Sequence, residues 1–554
     1  MHSTITRLSR RALPAVAAAA LLAACTSTGG STGAASTAPT AAPTTASAAT
    51  SADPAAPVPA PTATPTPTPT VKPTGQADPA LQAFYGQKLA WAACKDDPAT
   101  TKTDESAVQC ATLKVPLDYA DPSSGETLDV GVARITSSRP GERTGSLLVN
   151  PGGPGGSGVD MVQRGQKDYD GPLRDHYDIV GFDPRGSGLS APVNCLDDRT
   201  RDGWITTDVL GPEHGKLLAD ACRAKYGKLL EHIGTRDTVR DVDVLRAALG
   251  DQKLAYFGLS YGTYLGSVYA EEFPDRVGRL VLDGAVDPAK PIAQNNIEQY
   301  GGFERSLQAF AAHCAKQAQC PLGKDPAKAA GKLADFLDGL KQKPLTTKDG
   351  RTLTSAAAWT GVIEGLYGDE SGWDALANNI GWAMARGKGE NLLAYTDSYN
   401  KRDKNGHYSV SADAYTAIYC ADGATDVLTG EALDAAYAEM AAKAPLISRH
   451  EPGAALFDPD CRSWPFRSPE KAHPIVSKAA TPIVVVGSTG DAATPYANAE
   501  KLAAQLGNAV LLTREGEGHT GYGHSACIRD AVHSYLVDGT VPAAGTRCAT
   551  DPAR

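Results

Sequence analysis

One stretch decides how the chain is interpreted: Leu254–Gly262, which reads Leu-Ala-Tyr-Phe-Gly-Leu-Ser-Tyr-Gly. An apolar run leads directly into Gly-x-Ser-x-Gly, and small and apolar residues at helical spacing follow. The pattern predicts a strand that turns sharply into a helix, with Ser260 at the turn. Glycines are suited to both sides of this serine because the backbone there is strained and closely packed. Ser260 is therefore the candidate nucleophile, with its hydroxyl above a helix N-terminus that favours negative charge.

Two later segments place polar residues directly after predicted strands. Pro482–Gly487 is a buried strand followed by Asp491, and Ala509–Thr513 is a strand followed by Gly518 and His519. The chain order serine, aspartate, histidine is that of an α/β-hydrolase triad, whose members lie at the carboxyl ends of strands. In such a triad His519 takes the proton of the serine, and Asp491 orients the imidazole and stabilises its cation.

Both partners have alternatives. His524 is a second candidate base, but His519 is favoured because it comes first after its strand and follows a glycine. Asp283 ends the predicted strand Arg279–Leu282 and is a second candidate acid. Asp491 is favoured because Asp283 is followed by glycine, a pair that is typical of a turn.

A glycine-rich loop, Asn150–Gly158, directly follows the predicted strand Ser146–Val149. Such a loop brings backbone N–H groups close to a substrate oxygen, and a second donor comes from the residue after the nucleophile. The amides of Gly153 and Tyr261 are therefore the candidate oxyanion hole. The loop has neither the Gly-Lys-Ser/Thr ending of a phosphate-binding loop nor the spacing of a dinucleotide fingerprint.

Strand and helix signals alternate through the first half of the globular part. Ala111–Asp118 and Thr127–Thr136 predict a hairpin, Asp178–Phe182 a buried strand, and Thr238–Leu249 an amphipathic helix. Alternating strands and helices are typical of a mostly parallel sheet flanked by helices. The predicted class is therefore α/β.

About 200 positions separate the strand that ends at Leu282 from the next convincing strand at Pro482, far more than a crossover requires. The excess, rich in Ala and Leu at helical spacing, predicts an inserted and mainly helical lid over residues 290–475. The core then comprises residues 81–289 and 476–554. A lid in this position would cover the site.

The N-terminal residues carry an export signal. Three arginines precede the apolar run Ala12–Ala24, and the sequence Leu-Ala-Ala before Cys25 resembles the lipobox of bacterial lipoproteins. Residues 1–24 are thus predicted to be a lipoprotein signal peptide and Cys25 the lipidated residue, with an ordinary signal peptide as the alternative. Residues 25–80 are nearly all Ala, Thr, Ser, Pro and Gly and predict a disordered tether. The protein is expected to be anchored outside the cell membrane, or secreted after release.

Composition excludes several partners. A net charge of −10 without a basic cluster argues against nucleic acid. The histidines and cysteines do not show metal-ligand spacing, and we expect no metal, no cofactor and a monomer. An even number of cysteines remains besides Cys25, which in an exported protein predicts disulfides. We expect sequential pairing of Cys94, Cys110, Cys195, Cys222, Cys314, Cys320, Cys420, Cys461, Cys527 and Cys548.

Taken together, the glycine loop, Asp183-Pro184-Arg185-Gly186, the serine motif and the Asp491 and His519 segments resemble secreted tripeptidyl aminopeptidases of actinobacteria. These are α/β-hydrolase serine peptidases, a group that also includes proline iminopeptidases. The resemblance, over about residues 91–548, implies an α/β-hydrolase fold with the triad Ser260, Asp491 and His519. It also implies hydrolysis of peptides from a free amino terminus. Pro151, where proline iminopeptidases have histidine, indicates the tripeptidyl branch.

The resemblance also implies a carboxylate for the substrate ammonium group. Glu298 and Glu304, at the start of the lid, are candidates, and a solvated helix face explains them equally. The expected function is an extracellular serine exopeptidase that releases short peptides, tripeptides by the resemblance, through an acyl-enzyme on Ser260. The alternatives are a carboxylesterase or lipase, a proline iminopeptidase and a binding module without activity. An amine-binding carboxylate would distinguish a peptidase from a lipase, which needs a large apolar mouth.

Overall fold

The computed structural model describes residues 75–94, 108–165, 169, 171–208, 212–423, 428–449, 459–466, 468 and 470–552. All of them belong to one unit, Val71–Arg554. The predicted signal peptide, Cys25 and the tether as far as residue 74 lie outside the described residues.

The strands of the described chain form a large mixed sheet and one small antiparallel pair. The large sheet has ten strands in the order β1-β2-β3-β5-β4-β6-β7-β10-β11-β12, and β8 pairs with β9. Strands β1, β2, β3 and β5 pair antiparallel, and every pairing from β5 through β4 to β12 is parallel. The bounds are β1 Ala92–Ala93, β2 Val108–Pro116, β3 Thr127–Ile135, β4 Gly145–Asn150, β5 Tyr177–Phe182, β6 Leu254–Leu259, β7 Val277–Asp283, β8 Leu345–Thr346, β9 Thr352–Leu353, β10 Ile483–Gly490, β11 Ala509–Glu517 and β12 Arg547–Ala549.

Helices cover both faces of the sheet and make up most of the insertion. Their bounds are α1 Gln82–Tyr85, α2 Gly158–Arg164, α3 Pro172–His176, α4 Asp198–Thr206, α5 Pro212–Tyr226, α6 Thr235–Ala248, α7 Tyr261–Glu272, α8 Ile292–Lys316, α9 Pro326–Gly339, α10 Ser355–Leu366, α11 Glu370–Arg386, α12 Glu390–Tyr399, α13 Ala414–Gly423, α14 Gly430–Lys443, α15 Pro459–Arg462, α16 Tyr496–Leu506 and α17 Ala526–Asp538.

The central strands are apolar on both sides because each side of the sheet has its own core. Along β10, Val485 packs into the core shared with α6, α7 and α16, whereas Val484 and Val486 pack into the core shared with α2, α3 and α17. Every residue of β4 and of β5 is buried. Near-continuous apolar runs are typical of parallel strands covered by helices on both faces. The predicted α/β class is confirmed.

The segment between β7 and β10 is a second packed body, which we call the lid (α8–α15). Its helices α8–α12 share a core that includes Trp359, Trp373 and Phe310. Helix α13 instead packs against α5, which lies between β5 and α6. Within the described residues, no helix is both long and apolar enough to cross a bilayer.

Five disulfides pair the cysteines in sequence order, as predicted: Cys94–Cys110, Cys195–Cys222, Cys314–Cys320, Cys420–Cys461 and Cys527–Cys548. The second and the fourth lie in the small core around α13. Arg201 and Asp413 form a buried ion pair of 2.6 Å directly before the same helix. Helix α13 is thereby fixed at both ends, which matters because it lines the site.

Candidate active site

Ser260 occupies a sharp turn between β6 and α7. Its backbone has φ of 55° and ψ of −125°, a region that residues with a side chain rarely adopt. A Cβ atom at Gly258 would lie 2.5 Å from the carbonyl oxygen of Gly262, so the turn needs glycine there. The Ser260 amide donates to the carbonyl oxygen of Asp283 at 2.8 Å. The serine is thus held at the carboxyl end of the parallel strands.

His519 and Asp491 come together at the same end of the sheet. Nδ1 of His519 lies 3.0 and 2.9 Å from the two carboxylate oxygens of Asp491. The carboxylate also accepts hydrogen bonds from the amides of Ala493, Thr494 and Thr520. Burial acts to raise the pKa of Asp491, but the charge of His519 and these donors hold it below its ordinary value. Burial acts to lower the pKa of His519, and the charge of Asp491 acts to raise it. The net result is a pKa above the ordinary value.

The imidazole lies beside the nucleophile turn. The carbonyl of Asp283 binds the Ser260 amide, and a Cβ atom on the next residue, Gly284, would lie 3.1 Å from Cε1 of His519. The alternative residues have other partners. Nδ1 of His524 lies 2.8 Å from Asp369 of the lid. The Asp283 carboxylate accepts hydrogen bonds from backbone amides of the histidine loop rather than from an imidazole nitrogen.

The glycine loop lies directly against the serine turn. A Cβ atom at Gly152 would lie 2.4 Å from the Leu259 carbonyl oxygen and 2.9 Å from the Tyr261 nitrogen. Gly153, Tyr261 and Ser260 line one cavity. In the described chain, neither the Gly153 nor the Tyr261 amide donates a hydrogen bond to another group. Tyr261 is also the first residue of α7, where free amides and the helix dipole favour an anion.

The cavity that begins at Ser260 has a volume of about 510 Å³ and runs between the core and the lid. Helix α13 contributes Tyr415, Tyr419 and Asp422 to its lining. The two tyrosine rings stack with centroids 5.6 Å apart. These three residues recur at the spacing i, i+4 and i+7, which places them on one face of the helix.

Asp422 is a partly buried carboxylate in this lining. It accepts hydrogen bonds from the Thr235 amide at 2.7 Å and the Thr235 hydroxyl at 2.6 Å. The same hydroxyl contacts the phenol oxygen of Tyr261, the residue after the nucleophile. Burial raises the pKa of Asp422 to about 7, although the hydrogen bonds from Thr235 oppose the shift.

Three other acids of the lining have basic partners: Glu470 pairs with Arg236, Asp287 lies 3.4 Å from Lys290, and Asp237 lies 3.4 Å from Arg240. The exposed Glu231 also lies in the lining. Of the lining carboxylates in the described chain that are at least partly buried, Asp422 is the one without a basic group within 4.0 Å.

The structure does not bring Glu298 and Glu304 to this lining. Glu298 is not among the lining residues and pairs with Lys290, which is. The Glu304 carboxylate is buried and accepts hydrogen bonds from the amides of Leu446 and Ile447 at 2.9 and 3.0 Å, so it connects α8 to a later segment of the lid. The expectation that these two residues form an amine site is therefore corrected. Asp422 was missed by sequence reasoning, and the helical spacing of Tyr415, Tyr419 and Asp422 is the signal that could have indicated it.

Asp491 and His519 lie together near the Ser260 turn, and among the described residues no hydrogen bond joins the Ser260 hydroxyl to the imidazole. The fold is that of the α/β hydrolases, and the relatives of the chain make it a serine hydrolase. Residues 451–548 match the profile of the TAP-like protein family. The serine protease Hip1 of Mycobacterium tuberculosis is 35% identical over 85% of this chain and 92% of its own length. Carboxylesterase B of the same organism is 36% identical, over 83% and 90%. Tripeptidyl aminopeptidase of Streptomyces lividans is 32% identical, over 80% and 84%. The chain belongs to this TAP-like family, as the resemblance implied.

Proposed function

We propose that this protein is an extracellular serine exopeptidase that binds the free amino terminus of a peptide at Asp422 and cleaves the chain at Ser260. The observation that carries the proposal is the partly buried carboxylate of Asp422 in the lining of the Ser260 cavity, which has no basic group within 4.0 Å among the described residues. Serine protease Hip1 and tripeptidyl aminopeptidase, both relatives of this chain, support peptide substrates.

Asp422 needs a cation for a physical reason. An isolated buried carboxylate costs so much free energy that it takes up a proton instead, which is why burial raises its pKa to about 7. A substrate that brings a positive charge into the cavity reverses this cost, because an opposite charge nearby favours the ionised form. The α-ammonium group of a peptide is such a charge, and Asp422 then becomes its binding partner.

The position of Asp422 favours release of more than one residue. The side chain of Tyr261 and two further contacts through Thr235 separate the serine turn from the Asp422 carboxylate. In a single residue, the nitrogen and the carbonyl carbon are only two bonds apart. Three extended residues span about 10 Å, since each contributes up to about 3.6 Å. The link therefore suits a short peptide, in agreement with tripeptide release rather than release of a single proline.

The chemistry follows from the residues at the other end of the cavity. Ser260 attacks the scissile carbonyl carbon while His519 takes its proton, and the protonated imidazole then gives that proton to the leaving amine. Asp491 holds the imidazole tautomer and stabilises its cation. The Gly153 and Tyr261 amides would stabilise the oxyanion of the tetrahedral intermediate. Water then hydrolyses the acyl-enzyme, releasing the short peptide.

The five disulfides support a location outside the cytoplasm, because such bonds persist in oxidising compartments. Attachment through a lipid on Cys25 is part of the proposal and rests on the sequence of residues 1–25. Peptides with a free amino terminus outside the cell are the substrate class that this location and the cavity suit together.

Carboxylesterase activity is the second candidate, because a relative named carboxylesterase B is as similar to the chain as the serine protease. A serine triad and an oxyanion hole act on esters and amides alike. The difference lies at Asp422. An ester substrate without an amine gains nothing from this carboxylate, so an esterase would not depend on it.

The test uses the full exported chain and three substrates: a tripeptide arylamide with a free amine, its N-acetylated twin, and a short aryl ester. Wild type is compared with Asp422→Asn, with Ser260→Ala and with Glu470→Gln as the matched cavity control. We expect cleavage of the free amine tripeptide and not of its acetylated twin, loss of that cleavage in Asp422→Asn but not in Glu470→Gln, and ester hydrolysis that does not depend on Asp422.

The opposite results are equally clear. Cleavage of the ester alone, with the same rate in Asp422→Asn, would replace the peptidase proposal by an esterase. Equal cleavage of the free and acetylated peptides would exclude recognition of the amino terminus. Arylamides of one to four residues, compared on the wild type, give the number of residues released.

A further inference from the structure

The loop that carries His519 is held by side chains from several elements rather than by its own turns. Arg514, on β11, donates to the carbonyl oxygens of Glu517 and Gly518 at 2.6 and 2.8 Å. These are the two carbonyl groups directly before the histidine. The His519 amide itself donates to the Tyr367 carbonyl of the lid at 2.9 Å.

The residues after the histidine are held in the same way. The Asp283 carboxylate accepts hydrogen bonds from the amides of Gly521 and Tyr522, each at 2.8 Å. The Ser488 hydroxyl donates to the Thr520 carbonyl at 2.6 Å. Arg514 reaches this side as well, since its Nε donates to the Ser488 hydroxyl at 2.8 Å.

Arg514 is unusual in its charge environment. Its side chain is completely buried, yet its hydrogen-bond acceptors among the described residues are all neutral oxygens. In the described chain no carboxylate lies within 4.0 Å of its nitrogens. The nearest compensation comes at longer range from buried carboxylates that include Asp283 and Asp491. Buried charges without a direct partner are costly, so this arginine needs a reason to be there.

We propose that Arg514 is the positioning residue of His519: its guanidinium holds the carbonyl groups before the histidine, and its charge offsets those of Asp283 and Asp491 beside the imidazole. The inference rests on the proposed role of His519 as the base. Asp283 is the counterpart of Arg514: it has the opposite charge, and it binds the amides after the histidine, whereas Arg514 binds the carbonyl groups before it.

The charge balance has a direct consequence for catalysis. Two buried carboxylates beside one imidazole would keep it protonated, and a protonated imidazole cannot act as a base. The charges of Asp491 and Asp283 raise the pKa of His519, and the charge of Arg514 lowers it. The charged groups that act on this imidazole are Asp491 and Asp283 from the core and Arg514 from β11. Glu517 from β11 and the lid residue Asp369, which pairs with His524, act on Arg514.

The experiment measures the pH dependence of Ser260 labelling by a fluorophosphonate, which needs the base but no particular substrate. The variants are Arg514→Met, Arg514→Lys and Asp283→Asn, each in the full chain and each checked for its melting temperature. We expect the acid limb to move up by about one pH unit in Arg514→Met and down by a similar amount in Asp283→Asn. Arg514→Lys keeps the charge and should leave the limb near its wild-type position.

These shifts in opposite directions distinguish charge balance from mere support of the loop, which would lower the rate at every pH. If Arg514→Met does not fold, the isosteric Asp283→Asn decides alone. The inference would be overturned if the acid limb of both Arg514→Met and Asp283→Asn lay within about 0.2 pH units of the wild-type limb, which is about the error of such titrations. Shifts of the two variants in the same direction would also overturn it. Failure of the wild type to be labelled would overturn the role of His519 itself, whereas labelling without peptide cleavage would affect only the proposed substrate.

Discussion

Two aspartates of the site, Asp491 behind the nucleophile turn and Asp422 in the cavity lining, have very different surroundings. Asp491 is completely buried and has the His519 imidazole and several donors from its own and the histidine loop, which hold its pKa below the ordinary value despite burial. Asp422 is partly buried and has two donors from Thr235 but no basic group within 4.0 Å among the described residues, and its pKa rises to about 7.

This difference in charge compensation corresponds to the two proposed tasks of the site, which are catalysis near Asp491 and substrate binding at Asp422. At the proposed reacting end the charge of Asp491 is compensated by His519 and by hydrogen-bond donors before a substrate arrives, as preorganisation requires. At Asp422 the described residues supply no compensating charge within 4.0 Å. We infer that the substrate supplies it, and that the unbalanced aspartate selects substrates with a positive amino terminus.

The largest effect is expected at the balanced end. Asp491→Asn leaves the shape of the site intact but removes the group that fixes the imidazole tautomer. We expect kcat to fall by about 10⁴-fold, with little change in KM. Steady-state kinetics on the free tripeptide arylamide measure both values. A loss confined to KM would mean that Asp491 binds substrate and that the two ends of the cavity have been assigned the wrong way round.

At the unbalanced end the pattern should reverse. Asp422→Asn removes an ion pair with the substrate, and we expect kcat/KM for the free amine substrate to fall by about 10²-fold, or about 2.7 kcal/mol. Most of the loss should appear in KM. The acetylated tripeptide and Glu470→Gln serve as controls. An equal loss of ester hydrolysis in Asp422→Asn would show instead that the variant disturbs the reacting end.

The pH profile sharpens the same comparison. Asp422 must be ionised to bind an ammonium group, and its pKa is raised to about 7. His519, with a raised pKa, must be neutral to act as the base. Below pH 7, log kcat/KM for the free amine substrate should therefore rise with a slope near two, and for the ester with a slope near one. A slope near one for both substrates would remove Asp422 from substrate binding.

The smallest effect concerns stability. The folded-state pKa of Asp422 lies above its unfolded value, so its contribution to stability is fully present below the unfolded pKa and is lost as pH rises through about 7. Asp422→Asn carries no such charge. We expect its melting temperature to exceed that of the wild type by a few degrees at pH 8, and to match it near the unfolded pKa of an aspartate, about pH 4. Thermal unfolding by differential scanning fluorimetry measures both, and a larger gain at the acid pH would contradict the pKa shift.

The parts of the fold that repeat a simple pattern could be predicted from the sequence. The strand that ends at the Ser260 turn was predicted because its apolar residues and its glycines are local signals. Strands β10 and β11 were predicted in the same way, together with the loops of Asp491 and His519. The order of these residues along the chain was enough to indicate the class of hydrolase.

The far end of the cavity could not be predicted because it depends on contacts between distant segments. Thr235 and Asp422 are 187 positions apart, and nothing near either residue indicates the other. Glu304 was chosen because it is acidic and near the start of the lid, but its neighbours in space are the amides of Leu446 and Ile447. A carboxylate that caps backbone amides cannot be distinguished by sequence from one that faces a cavity.

Tyr261 joins the two ends of the cavity in a single residue. Its backbone amide lies in the proposed oxyanion hole, and its phenol oxygen touches Thr235, which holds Asp422. In the proposed function, Tyr261 thus fixes the distance between the site that binds the amino terminus and the serine that attacks the scissile bond. Relatives that release a different number of residues would need a different distance between these two sites. In this chain that distance depends on Tyr261, Thr235 and the face of α13 that lines the cavity.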